Sequence, residues 1–193
     1  AKLQYTSTNG NRTSKWTVRY ASDSIRMVII GQEDKPLPSE HQRAYTIDRK
    51  AGTETIYTLL ADSSVVQRTG QLAGRYASSF PVAYPDSLLP GSRKLLGRTS
   101  EHRLYEIPTT RRETWVDAKT PSLFHDVLGA RKSWGGVEIL LRGPMITSTS
   151  EGMPMEVQYE YQGGEKMTMR VLELKPGPVD PKVFEVTKES WRG

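Results

Sequence analysis

The chain has 193 residues, a formal net charge of +5, 36% apolar and 25% charged residues, and no cysteine. This is one ordinary domain with enough chain to bury a core, and it has no disulfide scaffold, thiol chemistry or thiolate metal site. Its basic residues stand singly or in pairs such as Arg93-Lys94, Arg111-Arg112 and Arg131-Lys132, with acids between them, so no nucleic-acid partner is expected, and no apolar run approaches the roughly 18 residues of a membrane span.

Ala1 and the residues after it carry no charged and apolar leader. Either the chain was trimmed at this end or a targeting segment has been removed; an export leader lost in this way would fit the absence of cysteine, and a periplasmic or otherwise exported protein is the expectation taken together with the resemblance given below. Asn9-Gly10 predicts a two-residue hairpin turn, which would set Leu3 opposite Trp16 and Tyr5 opposite Ser14. Trp16, Val18 and Tyr20 would then share one face. Ser24 to Ile30 reads as a strand whose continuous run Met27-Val28-Ile29-Ile30 predicts burial on both faces. Gly31 to Gln42, with Pro36 and Pro38, is a loop. Tyr45 and Ile47 alternate on the next arm, Tyr57 and Leu59 on its return. A three-residue turn at Lys50-Ala51-Gly52 would place Tyr45 opposite Tyr57.

Residues 61–97 are less regular and read as an insertion or lid across the sheet. A short helix is predicted over Gln71 to Ser79, followed by breaks at Pro81, Pro85, Pro90 and Gly91. Strands return at His102 to Ile107 and Arg112 to Asp117. Thr120-Pro121 predicts the start of a helix, Ser122 to Leu128, that stops at Gly129. Strands follow at Val137 to Leu141 and Met145 to Ser150. Met155, Val157, Tyr159 and Tyr161 share one face, and Glu156, Gln158 and Glu160 the wet one. A three-residue loop, Gly163 to Glu165, would pair Tyr161 with Met167 and Tyr159 with Met169. Val183 to Val186 is a final short strand or docking segment.

His41, His102 and His125 fall on separate elements, without metal-ligand spacing. No nucleophile elbow, phosphate loop or dinucleotide loop is present. No catalytic residue, metal or cofactor is therefore expected; an enzyme would need His102, His125 or a glutamate pair to converge in a cleft. Asn11-Arg12-Thr13 matches a glycosylation sequon. The chain holds six Met, nine Tyr and four Trp against three Phe. Met adapts to varied apolar partners, and Tyr and Trp add a polar handle, so an ordinary core and a ligand-holding concavity both fit.

Several short segments occur in a telling order: Ser24-Ile25-Arg26-Met27; Ala44 to Asp48 with Gly52 and Thr55-Ile56-Tyr57; Arg112 to Asp117 followed by Thr120-Pro121; Met153 to Tyr161 with Met167 to Leu174; and Asp180-Pro181 with Val183 to Val186. In that order the chain resembles the bacterial lipoprotein-localisation-factor (LolA-like) superfamily, nearest to its uncharacterised exported relatives of the DUF4412 type. The resemblance implies a mainly β fold: a strongly curved, incompletely closed antiparallel sheet, a half-barrel with short helices or loops over its concave face. It also implies a lipid or lipoprotein acyl chain held in that hollow. The expected lining is Met27, Tyr45, Tyr57, Met155, Tyr159, Met167 and Met169, with Trp115 at the wall or rim and Arg26 near an anionic head group or in a surface salt bridge. Peripheral membrane contact would accompany that role. The alternative is an envelope protein–protein interaction or sensor module with no lipid pocket.

Overall fold

The computed structural model describes residues 1–9, 12–23, 25–33, 42–60, 62–71, 87–120 and 152–191. Eleven strands form one sheet: β1 Lys2–Asn9, β2 Arg12–Ser22, β3 Arg26–Glu33, β4 Gln42–Asp48, β5 Thr53–Leu59, β6 Val65–Gln71, β7 Ser87–Leu95, β8 Arg98–Ile107, β9 Thr110–Asp117, β10 Met153–Tyr161 and β11 Lys166–Glu173. Their order is β6-β5-β4-β3-β2-β1-β11-β10-β9-β8-β7, and every pairing is antiparallel. The strands of each half follow one another in the chain, and β1 pairing with β11 joins the halves.

The expected half-barrel is corrected. The sheet is open, with β6 at one end and β7 at the other. The described residues contain no α-helix, only short 3₁₀ turns at Pro181–Phe184 and Lys188–Trp191. Both faces carry buried side chains, so there is no single hollow with a wet exterior. The physical reason lies in β3. Met27 through Ile30 are all buried, as the continuous apolar run predicts. Met27 and Ile29 join the cluster on what we term the front face, with Val18, Tyr20, Tyr45, Ile47, Val157, Tyr159 and Met169. Val28 and Ile30 join a second cluster on the back face, with Ala44 and Phe184. Val179, Phe184 and Val186 bring the C-terminal segment onto that back face. The predicted docking segment therefore exists, as a 3₁₀ turn that Asp180 caps by accepting from the Lys182 N–H.

Three hairpin registers differ from expectation, with different consequences. The last β1–β2 pair is Asn9↔Arg12, so Leu3 pairs with Val18 and Tyr5 with Trp16. In β10–β11, Tyr161 N–H donates to Glu165 C=O and the loop is Gln162 to Gly164, so Tyr159 pairs with Met167 and Val157 with Met169. Both are slips by an even count, which preserve the faces. The β4–β5 turn instead has four residues between Asp48 and Thr53. Asp48 Oδ1 accepts the Ala51 N–H at 2.8 Å, and Gly52 takes the left-handed φ of +66° that ends the turn. Tyr45 thus pairs with Ile56, and Tyr57 points to the back face.

Two strands, β6 and β7, occupy the stretch expected to be an insertion or lid. Residues 72–79 of the expected helix lie outside the described residues, as do the helix at 122–128 and the strands at 137–141 and 145–150; Gln71 itself ends β6. Chain re-enters at Gly152 with φ +124°. A Cβ there would lie 2.7 Å from the Asp117 carbonyl oxygen and 2.8 Å from Ala118 Cα, so only glycine fits.

Candidate functional site

The residues expected to line a ligand cavity are placed on two faces. Met27, Tyr45, Met155 and Met169 are at most 1% exposed, and Tyr159 is 6% exposed. They pack on one another in the front cluster, with half-buried Met167 against them. The Tyr45 hydroxyl donates to Glu54 Oε2 at 2.6 Å, giving that buried ring its polar partner. Tyr57 packs in the back cluster. Arg26 is ion-paired to Asp23 at 3.2 Å and lies over the Phe184 ring at 4.5 Å. Trp115 belongs to the far end of the sheet, on β9.

The lipid-cavity expectation is corrected on these grounds. The methionines and tyrosines fill the front face instead of walling a void. A cavity of about 150 Å³ does open by Arg26, Met27, Thr46, Asp48 and Phe184. It is half the low end of the roughly 300–1,000 Å³ range of small-molecule pockets, and polar atoms make up much of its lining. An extended acyl chain does not fit there.

A second arrangement, missed from the sequence, crosses the back face between β7 and β11. Glu156 is 1% exposed. Its Oε2 accepts from Arg170 Nε at 2.8 Å, its Oε1 accepts from Gln158 Nε2 at 2.8 Å, and Arg93 Nη2 sits 2.6 Å from Oε1. The Arg93 contact is close enough for an ion pair but off-axis for a hydrogen bond. Burial pushes the Glu156 carboxyl up, but its contacts with Arg93, Arg170 and Gln158 outweigh this and hold it below the usual glutamate range. Arg93 also lies 3.7 Å over the Trp115 ring, and His102 stacks on Trp115 with centroids 4.4 Å apart. His102 Nε2 is 3.1 Å from Glu113 Oε2, and Arg111 pairs with the other oxygen of Glu113 at 2.7 Å. Every charge in this band is matched by a neighbour. It fastens β7 to β9 and β10 and leaves His102 engaged in stacking on Trp115 and in its contact with Glu113. His125 lies outside the described residues, and among those described no group of three or more His, Asp and Glu is arranged to hold a metal ion.

The third feature is the edge strand β6. Its seven residues run in unbroken register with β5, from Thr53↔Gln71 to Leu59↔Val65. All but Val65 are exposed. Leu60 N–H donates to Ser64 C=O at the start of the hairpin. Antiparallel alternation from that bonded pair turns the N–H and C=O groups of Val65, Gln67, Thr69 and Gln71 away from β5. Among the described residues nothing pairs with them. Arg68 is the single charge on the strand and makes no ion pair with a described residue.

No protein-family model and no curated protein matches the chain. Solved structures resemble it distantly. Two crystal forms of PNGF-II have TM-scores of 0.36 and 0.37 at 12% identity, with 96% and 95% of this chain covered. A DUF1329 family protein from Desulfovibrio piger has a TM-score of 0.32 at 10% identity, with 95% of this chain and 88% of that one covered. The chain spans only 30% and 29% of the two PNGF-II chains. Likenesses this faint carry nothing about function. None of them supports membership of the LolA-like superfamily or its DUF4412 relatives, and with the open sheet that resemblance is set aside.

Proposed function

We propose that the chain is a non-enzymatic protein–protein interaction module. One observation carries the reading: the front face is filled with packed side chains, while among the described residues nothing pairs with the outer side of a regular edge strand, β6. A filled front face suits a scaffold, and an unguarded strand edge is a template for another chain. The matched charges around Trp115 and His102 further favour a structural role over a catalytic one. We retain with this reading the expectation of an exported envelope protein, which cell fractionation tests.

The experiment replaces Gln67 on β6, or Leu172 on β11 or Val183 in the C-terminal segment, both of which are exposed apolar side chains, one at a time with a photo-crosslinking residue in the cells that make the protein. At least one position should give an adduct of fixed mass that excess unmodified protein competes away. A titration with a fluorescent fatty acid, run in parallel, should show no saturable binding. No competed adduct at any of the three positions, or saturable fatty-acid binding, overturns the proposal.

A further inference from the structure

We infer that β6 is a docking edge for an extended segment of another protein, one that joins the sheet as an added antiparallel strand and sets an acidic residue opposite Arg68. The inference rests on the interaction-module reading and deepens it by naming the surface and the chemistry of the partner.

The backbone supplies the first part. Four alternate residues, Val65, Gln67, Thr69 and Gln71, turn their peptide groups outward in a ladder without a bulge. The strand has no proline and one charge, so it lacks the devices by which edges are normally blunted. The other end of the sheet has them. On β7, residues 89–91, including Pro90 and Gly91 at φ +102°, stand opposite the single residue His102, which breaks the ladder.

Charge selects between occupants. A second copy of this chain paired over the whole strand would place Arg68 directly opposite its own equivalent. Residues directly opposite share a face, so the two guanidinium groups would meet in the closely spaced, non-bonded type of pair, where like charges repel. Slipping the register to avoid this by one face-preserving step shortens the ladder and sets Arg68 against Val66. An acidic residue in a different chain meets Arg68 with the full ladder intact. Arg68 is exposed and, among the described residues, makes no ion pair.

The test uses the whole protein and two fluorescein-labelled heptapeptides, Thr-Val-Thr-Glu-Thr-Val-Thr and the same peptide with Lys at its centre. Anisotropy should show the Glu peptide binding about fivefold more tightly, the swing expected when one cross-strand charge pair changes from attractive to repulsive. Arg68→Glu should reverse the preference. Gln67→Pro, whose lost N–H points away from β5, should abolish binding of both peptides, with a thermal melt to show that the variant is folded. Equal affinity for the two peptides, no binding by the folded protein, or a preference unchanged in Arg68→Glu overturns the inference. A dimer in sedimentation that Gln67→Pro dissolves also overturns it and gives the edge to a second copy. Failure here alongside competed crosslinks at Leu172 or Val183 removes the β6 docking edge and leaves the interaction module standing; loss of all crosslinks removes both.

Discussion

Strand β7 ends the sheet with a bulge containing Pro90 and with Arg93 reaching back over Trp115 to Glu156. Strand β6 ends it with seven residues in even register and, among the described residues, no bulge and no ion pair reaching back across the sheet. The two flanks also differ behind the edge. Near β6 the back face is apolar and covered by the C-terminal segment through Phe184; near β7 it is a mesh of matched charges. One end is thus tied down by side chains that leave its edge irregular. The other is held from behind, and among the described residues nothing pairs with its outer ladder. An interaction surface needs both support and free peptide groups, and only the β6 flank offers both.

The sharpest way to break this contrast is to strip the support. Phe184→Ala should lower stability by about 3 kcal/mol in urea denaturation, the usual cost of emptying a buried aromatic site. Hydrogen exchange should quicken in β4 to β6 and stay slow in β7 to β9. Equal quickening throughout would mean that the flanks open as a single unit. Glu156→Ala attacks the other flank. With half-exposed arginines left behind, it should cost about 2 kcal/mol and quicken exchange in β7. An unaltered β7 would show that Arg93 does not anchor it.

A gentler probe is pH. Burial pushes Asp117 up, yet Thr120, Lys119 and Arg98 together bring its carboxyl below the usual aspartate range, and Glu156 is lowered likewise. A carboxyl with its folded-state pKa depressed stabilises fully above its unfolded pKa, and the contribution disappears as pH falls through the folded value. Melting temperature should therefore drop between pH 5 and pH 3, a window set by the ordinary carboxylate range of about 4. Glu156→Gln should drop less steeply than the unaltered chain; parallel curves would remove Glu156 from the account. The smallest effect belongs to the outer edge. Gln67→Glu should change stability by no more than about 0.5 kcal/mol, as surface substitutions do, while weakening capture of the acidic peptide by placing beside Arg68 a negative charge like the peptide's own. A loss of stability well above that would show that β6 is supported along its outer side.

How much of this could be read from the sequence follows from which signals are local. The buried strand β3 is plain in Met27 to Ile30, and the front face of β10 in Val157, Tyr159 and Tyr161. Register was harder. One extra residue in the turn after Asp48 reversed Tyr57, and the four-residue turn is fixed by the Ala51 N–H donating to Asp48 Oδ1, a bond that loop counting does not anticipate. Strands β6 and β7 escaped because edge strands need no apolar alternation: Gln67-Arg68-Thr69-Gly70-Gln71 has none, and Pro90-Gly91 reads as a break when it is a bulge. Glu156 lies on the face opposite Val157 and Tyr159, as the alternation implies, but that face is not wet at this position: Glu156 is buried. Its burial depends on Arg93, distant in the chain and three places away in the sheet order, which no local pattern contains. The six methionines show the limit of composition. Their number invites a ligand site, but the described ones pack mostly as core.

Asp117 has a role beyond its own strand. Its carboxylate holds the Lys119 N–H and the Thr120 hydroxyl where the chain departs from β9, and its carbonyl oxygen is the atom that forbids a side chain on Gly152 where the chain returns. Departure and return are thereby stapled at one spot on the rim. A side chain at position 152, or loss of the Asp117 carboxylate, would therefore loosen two rungs at once, the end of β9 and the start of β10, because both are fixed at this one crossing.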